Sequence, residues 1–299
     1  MAEKKEKEEV VEEATKPVAP IDLSALKNLD VASERDESLK GIKKASEMKK
    51  KKSKFCFMES SRIPLLSGGR YYLDAEDEDL RNGFIKLYPI SMAEEEILTN
   101  QAYLKSNSAF RILFENCMAS SYDASRLLSY DVYYLLYALR NISYGSDYKF
   151  DCKCAECGKE FSKEINIEEV DWEEIPEEVK DINEIKLPVS QYTVKIRLAR
   201  LSDEEEATRL KQTKKYEDVP DRIVSLVVQT LEIKDENGEP INPNDWAEFY
   251  EALPGKDRVE IQKCFEFTNN VPMVPIICPK CGAQRMAQIP MDRDFFRLS

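Results

Sequence analysis

Histidine is absent from the 299 residues. Without it there can be no Ser-His-Asp or Cys-His catalytic arrangement and no zinc or haem site with an imidazole ligand. Any transition metal must therefore be held by cysteine or carboxylate. Long apolar runs are also lacking: Val132 to Leu139 and Val271 to Cys278 fall far short of the ~20 residues of a membrane helix. The start, Met1 to Val10, is charged rather than a secretory signal, which points to an intracellular chain. Positive charge is in deficit, with 44 basic against 57 acidic residues and a net charge of −13. Such a balance argues against generic binding to a phosphate backbone. There is no P-loop and no dinucleotide fingerprint.

The charge is unevenly placed. Residues 1–54 hold 14 basic and 12 acidic side chains, which leaves −15 for residues 55–299. That first segment has no aromatic residue and long Glu/Lys runs, so it cannot bury enough surface to offset its ordering entropy. It reads as a disordered charged tail, with Ile21, Leu23, Leu26 and Leu29 at the spacing of a small docking helix. The folded, acidic remainder is expected to meet other proteins.

From Phe55 onward the pattern changes. Ile63 to Tyr72 reads as a glycine-bent turn running into a strand, Phe84 to Tyr88 as a second strand, and Ser91-Met92-Ala93-Glu94 as a capping box that opens a helix over 92–104. The pattern then returns. Ile85 to Ser91 aligns without gaps with Ile196 to Ser202, and Ser202-Asp203-Glu204-Glu205 repeats the capping-box spacing 111 positions on. Arg111-Ile112 and Arg222-Ile223 keep that offset at the start of a second helix, and third helices are expected at Tyr130 to Arg140 and Lys256 to Phe267. Each half ends in an apolar strand and a Cys-x-x-Cys-Gly. The cysteine offset is 124, so the second half carries an insertion, placed at Asp235 to Pro240 and Asn242 to Asn244.

The expected fold is α+β, with two tandem strand-plus-three-helix units. The segments are a tail at 1–54, a first unit at 55–165, an acidic linker at 166–186 and a second unit at 187–299. In and beside the linker, Glu173, Glu174, Glu177 and Glu178 read as solvated carboxylates without chemistry. Tyr130, Tyr133, Tyr134 and Tyr137 sit near helical spacing among leucines, mostly a core face.

The chemistry lies in the cysteines. Two Cys on a tight turn can face one ion, and the Gly after them permits the positive φ that turn adopts. Cys154, Cys157, Cys278 and Cys281 thus form a four-thiolate ribbon site built from two knuckles, with structural Zn²⁺ as the expected cofactor. Four thiolates leave no open position for water, which argues against catalytic zinc. A redox motif would want a helix after the pair, whereas Gly158 to Lys163 reads as a strand. Cys152, two residues before Cys154, could shift one ligand. Cys56, Cys117 and Cys264 are expected to stay reduced, the last two in helix cores.

Taken as a set, the motifs resemble a known family. They are Leu66-Ser67-Gly68-Gly69 with Tyr71, Ile85 to Glu95, Asp131 before the helix ending Leu139-Arg140, Tyr144-Gly145, Cys154-x-x-Cys157-Gly158, Leu201 to Glu205, Leu253-Pro254, Cys278-Pro279-Lys280-Cys281-Gly282 and Phe295-Phe296. The set resembles the baseplate hub subunit and hub-assembly proteins of T-even-type contractile-tailed bacteriophages, over residues 60–299. The charged tail and Cys152 depart from that pattern.

The resemblance implies a non-enzymatic part in building the tail baseplate hub, as component or assembly factor. Its partners would be other baseplate or hub proteins, with no membrane, nucleic acid or small-molecule substrate. It would act in the host cytoplasm during assembly or in the virion. The alternative is a zinc-ribbon protein of transcription or nucleic-acid metabolism, which would expose a basic or aromatic patch beside the metal. Here Lys153, Lys159, Lys163 and Arg285 are offset by Asp151, Glu156, Glu160 and Glu164.

Overall fold

The computed structural model describes residues 58–269, 272–291 and 295–296. The segment 1–54, with Ile21, Leu23, Leu26 and Leu29, lies outside them. The fold is α+β, with helices between small antiparallel sheets.

Strand β1 (Ser61–Pro64) pairs with β2 (Phe84–Leu87) with Ile63 opposite Ile85, and the short helix α1 (Glu78–Arg81) lies in the connection. Helices α2 (Met92–Thr99), α3 (Gln101–Lys105), α4 (Ala109–Cys117) and α5 (Ser129–Tyr144) follow, then the hairpin β3 (Asp147–Lys153) and β4 (Glu160–Asn166). A three-stranded sheet comes next, β5 (Ile182–Lys186), β6 (Thr193–Arg197) and β7 (Thr230–Lys234), with α6 (Ser202–Lys211) and α7 (Asp221–Gln229) between β6 and β7. Helices α8 (Trp246–Ala252) and α9 (Gly255–Lys263) lead to the hairpin β8 (Met273–Ile277) and β9 (Gln284–Gln288).

Several local expectations hold and several change. Ser91 and Glu94 form the capping box at the start of α2. The single helix expected over 92–104 is two, because the Asn100 side chain accepts the Ala102 amide and starts α3. The capping box expected at Ser202 does not form, and Ser202 lies inside the first turn. Asp203 takes the role instead, accepting the Arg200 amide at 2.8 Å and both terminal nitrogens of Arg197 at 2.7 and 2.8 Å. The strand expected at Tyr71-Tyr72 is a turn, with the strand upstream as β1. Both hydroxyls are needed elsewhere: Tyr71 donates to the Val179 carbonyl and Tyr72 to Asp131. Helix α5 runs four residues beyond Arg140, whereas α9 ends at Lys263 and a 3₁₀ turn covers Glu266–Asn269.

The two halves share a device that their sequences hide. Asp131, third residue of α5 and fully buried, accepts the Ser67 amide at 2.9 Å, the Ser67 hydroxyl at 2.6 Å and the Tyr72 hydroxyl at 2.7 Å. Asp257, third residue of α9 and equally buried, accepts the Val189 and Ser190 amides at 2.7 and 2.9 Å. Each carboxylate grips the turn between the first two strands of its half, and in each turn the residue after the serine has positive φ, 60° at Gly68 and 63° at Gln191. The third strand also corresponds. After α4 the chain bridges β2 through Leu87 and Met118; after α7 it forms β7 against β6.

Apolar side chains gather in two clusters. One contains Leu187, Val194, Ile196, Val224, Ile233 and Ile261. The larger fills the space around α5, and it also takes in Val274, Ile276 and Ile289 from the last hairpin with Phe295 and Phe296. Phe295 packs edge-on against Tyr137 and Tyr148 with ring centres 5.1 Å apart. The acidic segment after β4 runs over this cluster, anchored by Trp172 against Tyr134 and Tyr137 and by the Ile175 amide on the Leu66 carbonyl. Its carboxylates Glu173, Glu174, Glu177 and Glu178 are exposed.

Replacing Asp131 by Ala strands three buried donors and is expected to cost about 2–4 kcal/mol in urea unfolding, while Asp257→Ala frees two part-buried amides and is expected to cost about 1–2 kcal/mol. Burial pushes the Asp257 carboxyl up, but the Val189 and Ser190 amides more than offset this and hold it below the usual carboxylate range. Its contribution is complete at neutral pH and lost as pH falls through the folded value. Asp257→Asn should therefore flatten the acid limb of the stability–pH curve; an unchanged limb would contradict this role.

Candidate metal centre

Each knuckle is the tip of a two-stranded hairpin. Inward residues of β3, Tyr148, Phe150 and Cys152, alternate with exposed Asp147, Lys149, Asp151 and Lys153, which sets the strand's faces before it reaches Cys154. Val274 and Ile276 do the same before Cys278. Arg140, buried near the C-terminal end of α5, aims the first hairpin. Its guanidinium donates to the carbonyls of Gly145 and Asp147 and lies over the rings of Tyr144 and Tyr148, a favourable place for a cation at a helix C-terminus.

The two tips carry the same turn. Cys154 N–H donates to the Lys159 carbonyl at 2.9 Å and Gly158 N–H to the Cys154 carbonyl at 3.0 Å; Cys278 to Ala283 and Gly282 to Cys278 repeat both bonds at the same lengths. Gly158 and Gly282 have φ of 67° and 75°. This left-handed conformation is the one the sequence pattern asks of a glycine after the second cysteine.

The tips bring all four sulfurs together within 4.8 Å. Cys154 Sγ lies 3.6 Å from Cys281 Sγ, and Cys157 Sγ lies 3.7 Å from Cys278 Sγ. A tetrahedron with Zn–S bonds of ~2.3 Å has edges of about 3.8 Å, whereas a disulfide bond is ~2.05 Å. All four cysteines are free, two of them buried, Cys157 half-buried and Cys281 exposed. Cys152 is not in the cluster; its side chain is buried on the inner face of β3, opposite Phe161. Cys117 is buried on α4 and Cys264 follows α9 half-buried, while Cys56 lies outside the described residues.

The electrostatics favour an added cation. Backbone amides at Cys281 and Lys280 lower the Cys278 thiol to about 6. The Lys159 amide favours a thiolate at Cys157, yet desolvation and the three neighbouring sulfurs outweigh it and push that thiol up to about 12. Four sulfurs this close cannot all ionise on their own. Across the hairpins Arg285 donates to the Lys153 carbonyl at 3.4 Å, a contact with no signal in the sequence.

Elsewhere an open cavity of about 910 Å³ lies beside α6 and α7. Its charged lining is engaged within the protein: Arg197 by Asp203, Arg209 by Glu206, Glu205 by Arg111 and Lys215 by Asn244. Among the described residues no helix is long and apolar enough to cross a membrane.

A two-hairpin cluster of this kind occurs in many unrelated proteins, so the family rests on the wider comparison. Residues 75–297 match the family model described as T4 bacteriophage base plate protein. The chain belongs to that family. The match spans both halves and both knuckles of this baseplate protein, so the cysteine cluster is enclosed by the family region. No curated protein and no solved structure matches the chain.

Nothing lies within 4 Å of a Cβ built at Gly158 or Gly282, so substitution there costs only the backbone conformation. Gly158→Ala and Gly282→Ala should each lower the stability of the baseplate protein by ~1–2 kcal/mol in thermal or urea unfolding. A neutral result at both would mean that the knuckle turns are not under the constraint described.

Proposed function

We propose that the chain is a non-enzymatic structural or assembly subunit of the baseplate hub, and that Cys154, Cys157, Cys278 and Cys281 hold one structural Zn²⁺. Family membership carries the baseplate role. Support for zinc comes from four free sulfurs at 3.6–3.7 Å cross-pair spacing on two like-bonded turns. In this reading the ion neutralises four thiolates and cross-links chain positions 121 residues apart at Cys157 and Cys278. Partners are other hub or baseplate proteins. Work in the host cytoplasm during assembly, incorporation in the virion, or both would be compatible with that role.

We further infer that residues 55–165 and 187–299 descend from one duplicated unit, with the second also taking in β5 from the end of the 166–186 connector. The Asp131 and Asp257 grips, the third-strand bridges and the twin knuckles support common descent. The Asp235 to Asn244 turns after β7 would then be an elaboration of the second unit. Pairing of Lys149 with Glu164 and of Lys153 with Glu160 weakens the nucleic-acid reading.

Quantitative mass spectrometry of purified tails beside infected-cell extract tests the role. A fixed copy number per baseplate marks a component, and enrichment in baseplate precursors without retention marks an assembly factor. Absence from both contradicts the proposal. Elemental analysis of the purified full chain should give one zinc per chain, and Cys157→Ser with Cys281→Ser should abolish it.

A further inference from the structure

The two cysteine hairpins have the same turn but opposite outer faces. On the first, the exposed face is charged: Lys149 reaches Glu164, Lys153 reaches Glu160, and Asp151 accepts the Ser162 hydroxyl. These are cross-strand neighbours in register, and such pairs keep a hairpin face soluble. On the second, the exposed face carries Met273, Pro275 and Ile277 from β8, with Met286 opposite Pro275 and Gln284 opposite Ile277. Met273, Ile277 and Met286 are 43%, 57% and 55% exposed. No charged residue lies on that face.

The surrounding sequence makes the contrast sharper. From Phe267 to Met291 there is no Asp or Glu, in a chain with 57 of them, and the charges in that stretch are Lys280 and Arg285. Both are exposed. An apolar surface with Lys280 at its tip thus stands on an otherwise acidic body, while Arg285, opposite Ile276, lies on the other face of the hairpin and donates to the Lys153 carbonyl. Exposed methionines on a paired strand give an adaptable apolar contact, and aromatic or methionine-rich patches with little charge are the usual centre of a protein interface. Its location on a two-stranded hairpin also leaves strand edges unpaired among the described residues, available to an added strand.

We propose that the outer face of β8–β9 is the docking surface of this chain for a neighbouring baseplate protein. The partner segment has apolar side chains for Met273, Ile277 and Met286, flanked by a carboxylate that meets Lys280 at the hairpin tip. This rests on the baseplate reading, which supplies the neighbour. A second copy of the chain is the poorer occupant, because association would bring together two bodies of net charge −13. The metal has a direct part here: by fixing the hairpin tip it holds the apolar strand pair in one shape, so that docking does not also have to order it.

Methionine oxidation reads the face without knowledge of the partner. The full-length protein, free and within baseplate precursors isolated from infected cells, is exposed briefly to dilute hydrogen peroxide, and sulfoxide at each methionine is measured by mass spectrometry. Met273 and Met286 are expected to oxidise at least five-fold more slowly in the precursor. Met92, on α2 and 87% exposed, serves as the reference for general shielding. Equal oxidation of Met273 and Met286 in free and assembled protein overturns the proposal. Protection in the free protein that grows with its concentration also overturns it, in favour of self-association.

Variants give the second arm. Ile277→Lys with Met286→Lys should reduce recovery of the full chain in precursors at least ten-fold at unchanged zinc content and melting temperature, while Lys149→Gln on the first hairpin should not. Normal recovery of the double variant overturns the docking surface while leaving the baseplate role standing. If wild-type protein is found in no baseplate assembly, the baseplate reading itself fails and this proposal falls with it.

Discussion

Four sulfur atoms drawn from the middle and the far end of the folded chain meet within 4.8 Å, and that convergence governs the rest. Thiols at this spacing repel as thiolates and bond poorly as thiols, so the arrangement is favourable chiefly with a cation at its centre. The two hairpins make no shared sheet. Beyond the sulfurs, their mutual placement rests on the Arg285 bond to the Lys153 carbonyl, the Tyr148 hydroxyl on the Pro290 carbonyl at 3.3 Å and the apolar cluster beneath. A cross-link over so long a stretch acts mainly on the unfolded chain, and a loop of over a hundred residues corresponds to ~4–5 kcal/mol of closure entropy.

That geometry accounts for how the core divides between the two clusters. The last hairpin meets the first at its tip, and its inward residues Val274 and Ile276 fall on the cluster around α5 rather than on the one around β6. Phe295 then wedges between Tyr137 and Tyr148, carrying the end of the chain into the same cluster. Three of the tyrosines of α5 are thereby accounted for. Tyr130 donates to the Glu173 carbonyl, Tyr134 and Tyr137 pack on Trp172, and the acidic segment is pinned down by its few apolar residues while its carboxylates stay in water.

That the four cysteines would meet was legible because two Cys-x-x-Cys-Gly pairs have the spacing a four-thiolate site asks for, and the glycine after each pair reports a backbone angle that other residues rarely adopt. Ser91 and Glu94 were legible for the same reason, since a cap needs particular side chains at particular places. The second capping box misled because Ser-x-x-Glu is only a pattern. With Arg197 facing α6, Asp203 binds both the guanidinium and the Arg200 amide and leaves Ser202 no role. Asp131 and Asp257 could not be paired in advance: they lie 126 positions apart, whereas the matched strands lie 111 apart. Their equivalence depends on turns that only the folded chain brings beneath them. Tyr71 and Tyr72 looked like strand residues because aromatics favour strands, but buried hydroxyl partners outweighed that propensity.

Chelation is the most direct test of the central claim that metal binding at the four cysteines holds the two hairpins, and through them the two halves, together. Zinc-loaded full-length protein would be melted with and without a strong chelator, with hydrogen exchange followed in β3, β8 and α5 under both conditions. Loss of ~4–5 kcal/mol corresponds to a fall in Tm of roughly 10 °C or more for a fold of this size, with protection lost in both hairpins together. An unchanged Tm and unchanged exchange after verified metal removal would contradict the account.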